Sequence, residues 1–130
     1  MVSGDPVFTD REHEDVERAR RIAEADTGLH FSVFVGALGD DSRRTATSLH
    51  GRLPAPTSSV LVGVDPGTRR VEVVTGSMSR RWLDDRACAL AILAMTTSFS
   101  TGDLAGGIVN GLRTLGEHAR HPRVLHLDEP

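Results

Sequence analysis

The side chains best suited to chemistry are concentrated in residues 77–86 of this sequence. The segment contains Ser77, Ser79, Arg80, Arg81, Trp82, Asp84, Asp85 and Arg86. Paired carboxylates such as Asp84 and Asp85 can hold a hard divalent cation, calcium or magnesium, through oxygen ligands. Guanidinium groups bind phosphate and carboxylate groups, and a helix N-terminus adds free N–H donors for an anion. The segment therefore predicts a phosphate or cation site, with Asp85, Arg80 and Arg81 as the candidate catalytic residues.

The same residues also have a purely structural interpretation. Asp84 and Asp85 precede a strongly apolar run, where a short acidic side chain caps a helix and complements the positive end of its dipole. A capped helix with solvated arginines would explain the segment without any ligand. Trp82 likewise fits either a contact with a partner protein or a place in the core. The residues alone leave these alternatives open.

Composition limits the function classes to which this chain can belong. Its 130 residues suffice for one domain with its own core, and 38% apolar with 25% charged residues is typical of a soluble globular protein. The formal net charge of −3 is too small to indicate a polyanion-binding surface, so nucleic acid is not an expected partner. The fifteen Lys and Arg residues are all arginine. No lysine is therefore present for a Schiff base or a P-loop.

Cysteine content and hydropathy favour a cytoplasmic protein. Cys88 is the only cysteine, so an internal disulfide is excluded. It lies among apolar residues and is expected to be a small core residue rather than a nucleophile. The first residues lack a signal peptide pattern, and no run of about eighteen apolar residues exists to span a membrane. We expect a cytoplasmic location and no membrane insertion.

Hydrophobic periodicity predicts four helices and three strands. The first helix begins at the capping box Thr9–Glu12 and ends at Thr27–Gly28. The predicted strands cover residues 29–35, 59–64 and 69–75, and the remaining helices cover 42–53, 84–99 and a segment beginning near Asp103. We interpret residues 1–7 as an N-terminal arm, 8–119 as a single domain and 120–130 as a polar tail, in which Val124, Leu125 and Leu127 suggest a short edge strand.

The connections between these elements predict the topology. A strand, helix and strand in one sheet require parallel pairing through a right-handed crossover, whereas the turn at 65–68 makes the third strand antiparallel. The predicted fold class is therefore α/β, a small mixed sheet with a βαβ crossover and a β-hairpin, covered by about four helices. Loops 54–59 and 76–85 then lie at one end of the sheet. For this reason Thr57 and Ser58 join Ser77, Ser79 and Trp82 as candidate binding residues.

Other clusters are weaker candidates for function. His118, His121 and His126 have no carboxylate or thiolate at a convincing ligand spacing for zinc. The glycines of residues 102–111 lie within a helical pattern rather than after a strand, so they do not form a dinucleotide-binding fingerprint. Asp40 and Asp41 are interpreted as a helix cap rather than as cation ligands. The strong motifs of hydrolases, kinases and zinc enzymes do not occur.

Several blocks of the chain, in the same order, resemble the TPM domain. They are Thr27-Gly-Leu-His-Phe-Ser-Val-Phe-Val35, Val60-Leu-Val-Gly-Val64, Val71-Glu-Val-Val-Thr-Gly76, Leu83-Asp-Asp85 and Phe99-Ser-Thr-Gly-Asp-Leu-Ala-Gly-Gly-Ile-Val-Asn-Gly111. The likeness covers about residues 8 to 119. More closely, the first block, Asp85-Arg-Ala-Cys88 and Gly102-Asp-Leu-Ala-Gly-Gly107 resemble an actinobacterial family of unknown function that is related to TPM domains.

This resemblance implies an α/β fold in which helices pack on a small sheet. Some TPM domains are described as acid phosphatases or divalent-cation binders, and others as assembly or repair factors for membrane complexes. By motif, Asp85 matches the acidic residue of the family's Leu-Thr-Asp block. Asp103 matches the acidic residue of its Gly-Asp block.

Together these observations predict a soluble, TPM-like binding or regulatory module whose ligand is unknown and whose expected partner is a protein. The alternative is a metal-assisted phosphomonoester hydrolase at the end of the third strand. In that alternative Asp84 and Asp85 hold calcium or magnesium, Arg80 or Arg81 offsets the developing phosphoryl charge, and metal-bound water is the nucleophile. The oligomeric state is not predicted.

Overall fold

The computed structural model describes residues 2–4 and 8–120 and confirms the predicted α/β fold. The strands are β1 (Val2–Gly4), β2 (His30–Val35), β3 (Ser59–Asp65) and β4 (Arg70–Thr75), and they form one sheet in that order. The helices are α1 (Asp10–Thr27), α2 (Ser42–Gly51), α3 (Asp85–Phe99) and α4 (Leu104–Ala119). Short 3-10 helices occupy Pro56–Ser58 and Ser79–Arg81. The boundaries of the predicted helices and strands differ from these by at most two residues.

Strand pairing confirms the predicted crossover and hairpin. β2 and β3, which are joined through α2, are parallel and place Phe31 beside Val60. β3 and β4 are antiparallel and place Val62 beside Val73. The capping box of α1 is also confirmed, because the Glu12 N–H donates to the Thr9 hydroxyl and the Thr9 N–H donates to the Glu12 carboxylate.

β1 lies within residues 1–7, which the sequence predicts to be an arm. Val2–Gly4 pair in parallel with residues 33–35 of β2. A strand of three residues is too short to show a periodic pattern, so its formation depends on the available edge of β2. The predicted C-terminal tail, with its suggested edge strand at Val124–Leu127, lies outside the described residues from position 121 onward.

Side chains of α1 provide hydrogen bonds for the part of β2 that β1 does not reach. Glu24 Oε2 accepts from the Phe31 N–H at 2.9 Å, and Arg20 donates to the Phe31 carbonyl at 3.3 Å. Arg20 also pairs with Glu17 at 3.0 Å, and this hydrogen bond lowers the pKa of the Glu17 carboxyl, although burial acts in the opposite direction. Because an open strand edge invites pairing with other chains, these contacts both protect β2 and fix α1 beside it.

The main core lies between one face of the sheet and the helices α1, α3 and α4. Its fully buried side chains include Phe31, Val33, Val60 and Val62 from the sheet and Val16, Met95, Ile108 and Leu112 from the helices. α4 packs against both α1 and α3. Gly111 permits this packing, because a Cβ at that position would lie 2.6 Å from the Cγ of the buried Met95. A larger residue at position 111 would therefore force α3 and α4 apart.

The opposite face of the sheet is covered by α2 alone among the described helices. Ala46 of α2 packs with Leu61 and Val74, and half-buried residues at the edge of this smaller cluster are Phe34, Leu49 and Leu53. The sheet therefore separates a large core from a small one. None of the described helices is long and apolar enough to cross a lipid bilayer.

A buried carboxylate joins the loop after β2 to the turn between β3 and β4. Asp65 accepts from the Leu38 N–H at 3.0 Å and from the N–H groups of Gly67 and Thr68. The Leu38 hydrogen bond, opposed by burial and assisted by the bonds in the turn, lowers the pKa of the Asp65 carboxyl. Asp41 caps α2 through the Arg44 N–H at 3.1 Å, which confirms its predicted structural role.

Candidate functional site

The predicted site is built where β4 ends and the chain turns toward α3. Gly76 follows β4 and lies so close to the preceding loop that a Cβ there would collide with the carbonyl oxygens of Pro56 and Thr57. Met78 donates its N–H to the Thr57 carbonyl at 2.9 Å. Only glycine fits the space beside Pro56, so the two loops can close against each other. The structure thus brings the 56–59 and 76–79 segments together, as predicted.

Ser79 holds this junction from inside. It is fully buried, and its hydroxyl oxygen accepts from the Gly76 N–H at 2.8 Å. The same hydroxyl lies 3.1 Å from the Ser59 carbonyl and 3.3 Å from the Gly76 carbonyl, either of which can accept its proton. The Ser79 side chain is therefore committed to the backbone, whereas Ser77, the other serine predicted for binding in this loop, is exposed.

His50 is a buried member of this junction that is not among the residues predicted for the site. Its Nε2 lies 3.0 Å from the Ser59 carbonyl oxygen, and the residue is 7% exposed. A signal for this position exists in the sequence, because His50 lies four residues after Ala46 and so shares the buried face of α2. With the Ser59 carbonyl as its partner, the imidazole joins the end of α2 to the beginning of β3.

Thr57 and Ser58 lie in the 3-10 helix on the other side of the junction. Thr57 is exposed, whereas Ser58 is half-buried with its hydroxyl 3.4 Å from the Ala55 carbonyl. Ser59, which follows, is buried and donates its hydroxyl proton to the same Ala55 carbonyl at 2.5 Å. Of the two predicted binding residues in this segment, Thr57 has the freer access to solvent.

The arginines and the tryptophan of the second loop face different environments. Arg80 and Arg81 are exposed in the 3-10 helix Ser79–Arg81, together with Met78 just before it. Met78 is 43% exposed. Trp82 is half-buried and packs against the main core, and the next residue, Leu83, is fully buried. The structure therefore gives Trp82 a core contact and leaves Met78, Arg80 and Arg81 on the outside.

Asp84 caps α3. Its Oδ1 accepts from the Ala87 N–H at 2.9 Å, and the backbone at Asp84 is extended. Asp85 and Arg86 follow in the first turn and are exposed. The structural interpretation of Asp84 as a helix cap is confirmed, while its second carboxylate oxygen and the Asp85 carboxylate face outward with no hydrogen bond or ion pair to the described residues.

The beginning of α3 is not a reactive thiol centre. Burial, and secondarily the negative charge of Asp85, raise the pKa of the Cys88 thiol. The thiol therefore stays protonated near neutral pH, as expected for a small core residue. Arg43 approaches this region from α2, donating to the Val73 carbonyl at 2.8 Å and lying 3.6 Å from the Glu72 carboxylate.

Metal ligands are sparse in the part of the chain that the structure describes. Within residues 8–120 no group of three or more His, Cys, Asp and Glu side chains is arranged to hold a metal ion. His118 is exposed on α4, while His121 and His126 lie outside the described residues. A cation at Asp84 and Asp85 would have two carboxylates and would need water or substrate oxygens for its other ligands, as magnesium commonly does.

Comparison with known sequences finds relatives without an assigned activity. The family described as "Domain of unknown function (DUF5130)" matches residues 2–116. Two curated relatives are the uncharacterized proteins MT2543 and Rv2468c from two strains of Mycobacterium tuberculosis. Each is 32% identical over 87 residues, which are 67% of this chain and 52% of the relative. The matched region therefore covers only about half the length of these relatives.

Comparison with solved structures supports the fold. The N-terminal domain of a Porphyromonas gingivalis protein matches with a TM-score of 0.81 at 17% identity, covering 96% of this chain and 83% of that one. The BA42 protein from Bizionia argentinensis matches with a TM-score of 0.78 at 18% identity, and the match covers 88% of this chain and 83% of that one. The N-terminal domain of cg2496 from Corynebacterium glutamicum matches with a TM-score of 0.74 at 14% identity, and the match covers 91% of this chain and 78% of that one. At these identities the likeness concerns the fold alone, and the resemblance to TPM domains stays a prediction.

Proposed function

This chain belongs to the DUF5130 family, a domain of unknown function, and we propose that it is a binding or regulatory module that contacts a protein partner through the loop between β4 and α3. The observation that carries this proposal is the division of the loop into an inner and an outer set of side chains. Ser79 is buried and bonded to the backbone, whereas Ser77, Met78, Arg80 and Arg81 are exposed.

This division suits a contact surface. The Ser79 hydrogen bonds and the close approach of Gly76 to the 56–59 segment fix the loop before any partner arrives, which lowers the entropy cost of binding. Methionine and arginine are enriched at protein interfaces, where they combine apolar area with hydrogen-bond donors. Met78 and the two arginines supply that combination on one short segment. Thr57, exposed on the neighbouring segment, extends it.

The test is quantitative affinity capture from an extract of the source cells, with the native protein and two loop variants as bait. We expect Met78→Glu and Arg81→Glu to lose a protein that the native chain enriches. Trp82→Ala is a poorer variant because Trp82 packs against the core. Leu93→Glu is the matched control, since it introduces the same charge at an exposed apolar residue of α3 outside the loop. Absence of an enriched protein, or equal loss with all three variants, contradicts the proposal.

A second candidate function is the metal-assisted phosphatase, and the outward carboxylate of Asp85 with Arg80 and Arg81 on the preceding turn favours it. In this function Asp84 and Asp85 would hold calcium or magnesium, and an arginine would stabilise phosphoryl charge. Since a ligand that binds only the folded state stabilises it by mass action, the cation should raise the melting temperature.

The matched variants for this second function are Asp85→Asn and Asp103→Ala. Asp85→Asn should remove both the cation-dependent shift and hydrolysis of a generic phosphomonoester. Asp103 caps α4 through the Gly106 N–H at 3.0 Å, so its replacement should cost about 0.5–2 kcal/mol of stability without changing the cation response. An unchanged cation response in Asp85→Asn would exclude this site.

A further inference from the structure

β4 lies at one edge of the sheet, because the described strands pair in the order β1-β2-β3-β4. The direction of its backbone groups follows from one hydrogen bond. Gly36 donates its N–H to the Val64 carbonyl at 2.9 Å, so the backbone groups of Val64 point toward β2. Val71 lies opposite Val64 and therefore points its own groups away from β3. Because these directions alternate along a strand, the N–H and C=O groups of Val71, Val73 and Thr75 all point outward.

The side chain of Arg43 occupies the centre of this edge. Its Nη1 donates to the outward carbonyl of Val73 at 2.8 Å. The Glu72 carboxylate lies 3.6 Å from the same nitrogen and accepts the Ser42 hydroxyl proton at 2.6 Å. Val73 is only 2% exposed although its backbone groups point away from the sheet. The guanidinium is therefore in the place that an N–H group of an added strand would take.

The remainder of this edge is complementary to itself. Among residues 2–4 and 8–120 the outward groups of Val71 and Thr75 have no hydrogen-bond partner. If the β4 strands of two copies pair antiparallel about a two-fold axis at Val73, each Val71 lies opposite Thr75 of the second copy. The two Val73 residues then lie opposite each other, and all three pairs can exchange N–H and C=O groups. No two charged residues are opposite each other in this register.

We propose that Arg43 closes the β4 edge against a second copy of this chain, and that two copies without its guanidinium join through β4 into one continuous sheet. An open strand edge is a template for pairing with another chain, and charged side chains commonly block it. Since Val73 lies on the two-fold axis of this pairing, a guanidinium on its carbonyl interrupts the central hydrogen bonds for both copies. Such an isologous contact gives a closed dimer and not a fibre.

The test compares Arg43→Met with Arg44→Met by sedimentation equilibrium of the full chain over a range of concentrations. Both substitutions replace a guanidinium on α2 by an unbranched apolar side chain. The Arg44 side chain is the matched control, because it is exposed and has no hydrogen bond or ion pair with the described residues. Arg43→Met should dimerise with a dissociation constant at least about 10-fold lower than that of the native chain or Arg44→Met. Equal self-association of the two variants overturns the proposal.

Two further measurements locate the contact. Arg43→Lys keeps a donor for the Val73 carbonyl and should self-associate no more than the native chain. In the Arg43→Met dimer, exchange of the Val71, Val73 and Thr75 amides should slow as the protein concentration rises, because these groups enter the new hydrogen bonds. A dimer that leaves these amides unprotected contradicts the proposal. Circular dichroism checks the fold, and if Arg43→Met does not fold, Arg43→Ala against Arg44→Ala gives the same comparison.

Discussion

The Ser79 hydroxyl joins three backbone groups at the junction of two loops, although the residue itself is one of the smallest polar side chains in the chain. It accepts from Gly76 and lies within hydrogen-bond distance of the carbonyls of Ser59 and Gly76. Because the residue is fully buried, water cannot replace these bonds when the hydroxyl is removed. The Ser79 hydroxyl therefore fixes the shape of the loop on which Met78, Arg80 and Arg81 are exposed.

We expect Ser79→Ala to lower the free energy of unfolding by about 1–3 kcal/mol, because it leaves the buried Gly76 N–H with only its longer 3.3 Å contact to Ser59. Urea denaturation measures the change. Ser77→Ala in the same loop is the control and should change stability by less than about 0.5 kcal/mol, since Ser77 is exposed. Equal effects of the two substitutions would mean that the Ser79 hydrogen bonds contribute nothing to the free energy of unfolding.

Because of Asp65, the stability of the fold should depend on pH in the acid range. Its backbone hydrogen bonds, that from Leu38 first, lower the carboxyl pKa below the ordinary value of 3.8. A carboxyl group whose pKa is lower in the folded than in the unfolded protein stabilises the folded protein at pH values above its pKa in the unfolded chain. This stabilisation is lost as the pH falls through the pKa that the group has in the folded protein.

We therefore expect Asp65→Asn to be less stable than the native chain near neutral pH, and the difference to shrink as the pH falls below about 4. Urea denaturation of both proteins over a pH series tests this expectation. Asp40→Asn, in the exposed loop at the same end of the sheet, should produce no comparable change. If the difference in free energy of unfolding between the native chain and Asp65→Asn instead grows as the pH falls, the folded state does not lower the pKa of Asp65.

At the scale of elements, the packing of α4 against α3 depends on glycine. Glycine within a helix is costly in conformational entropy, yet Gly111 lies where any side chain would meet Met95. Met95 is fully buried and has little room to move. The loss in helix propensity is thus offset by the close contact of the two helices.

Gly111→Ala should destabilise the protein by about 1–3 kcal/mol through overpacking, in spite of the better helix propensity of alanine. Gly51→Ala is the matched control at the end of α2, where a Cβ meets nothing within 4 Å. There the substitution should be neutral or stabilising by up to about 1 kcal/mol. Thermal unfolding distinguishes the two, and stabilisation by Gly111→Ala would show that α3 and α4 can separate at little cost.

At the scale of the whole molecule, the sheet divides the described protein into two unequal cores. The helices α1, α3 and α4 share the large core, whereas α2 rests on the small cluster around Ala46, Leu61 and Val74. Hydrogen bonds from Ser42 and Arg43 to Glu72 and Val73 tie the beginning of α2 to β4, but the hydrophobic contact there is limited. Stability should therefore differ between the two faces.

We expect the amides of α2 to exchange with solvent through local opening at a lower free energy than those of α4 and β3. Native-state hydrogen exchange at increasing low concentrations of denaturant measures this difference. Exchange of α2 only through global unfolding, with the same free energy as α4, would show that the small cluster is as strongly coupled as the large core.

The pattern of apolar residues in the sequence determined the helices, the three longer strands and their pairing. Alternation, capping residues and connection length are local properties, and they restrict the topology strongly. The caps at Thr9, Asp41, Asp84 and Asp103 could be recognised for the same reason. The strand Val2–Gly4 could not, because three residues carry no period and need the edge of β2 as a template.

At the candidate site the order of strands and helices in the sequence was enough to predict that the two loops lie at one end of the sheet. Only the tertiary structure decided which of their side chains face inward. Ser77 and Ser79 are the same residue type two positions apart, yet one is exposed and the other fully buried. His50 enters the junction from a third element through the Ser59 carbonyl. Burial in a loop depends on contacts between distant segments, and these have no periodic signature in the chain.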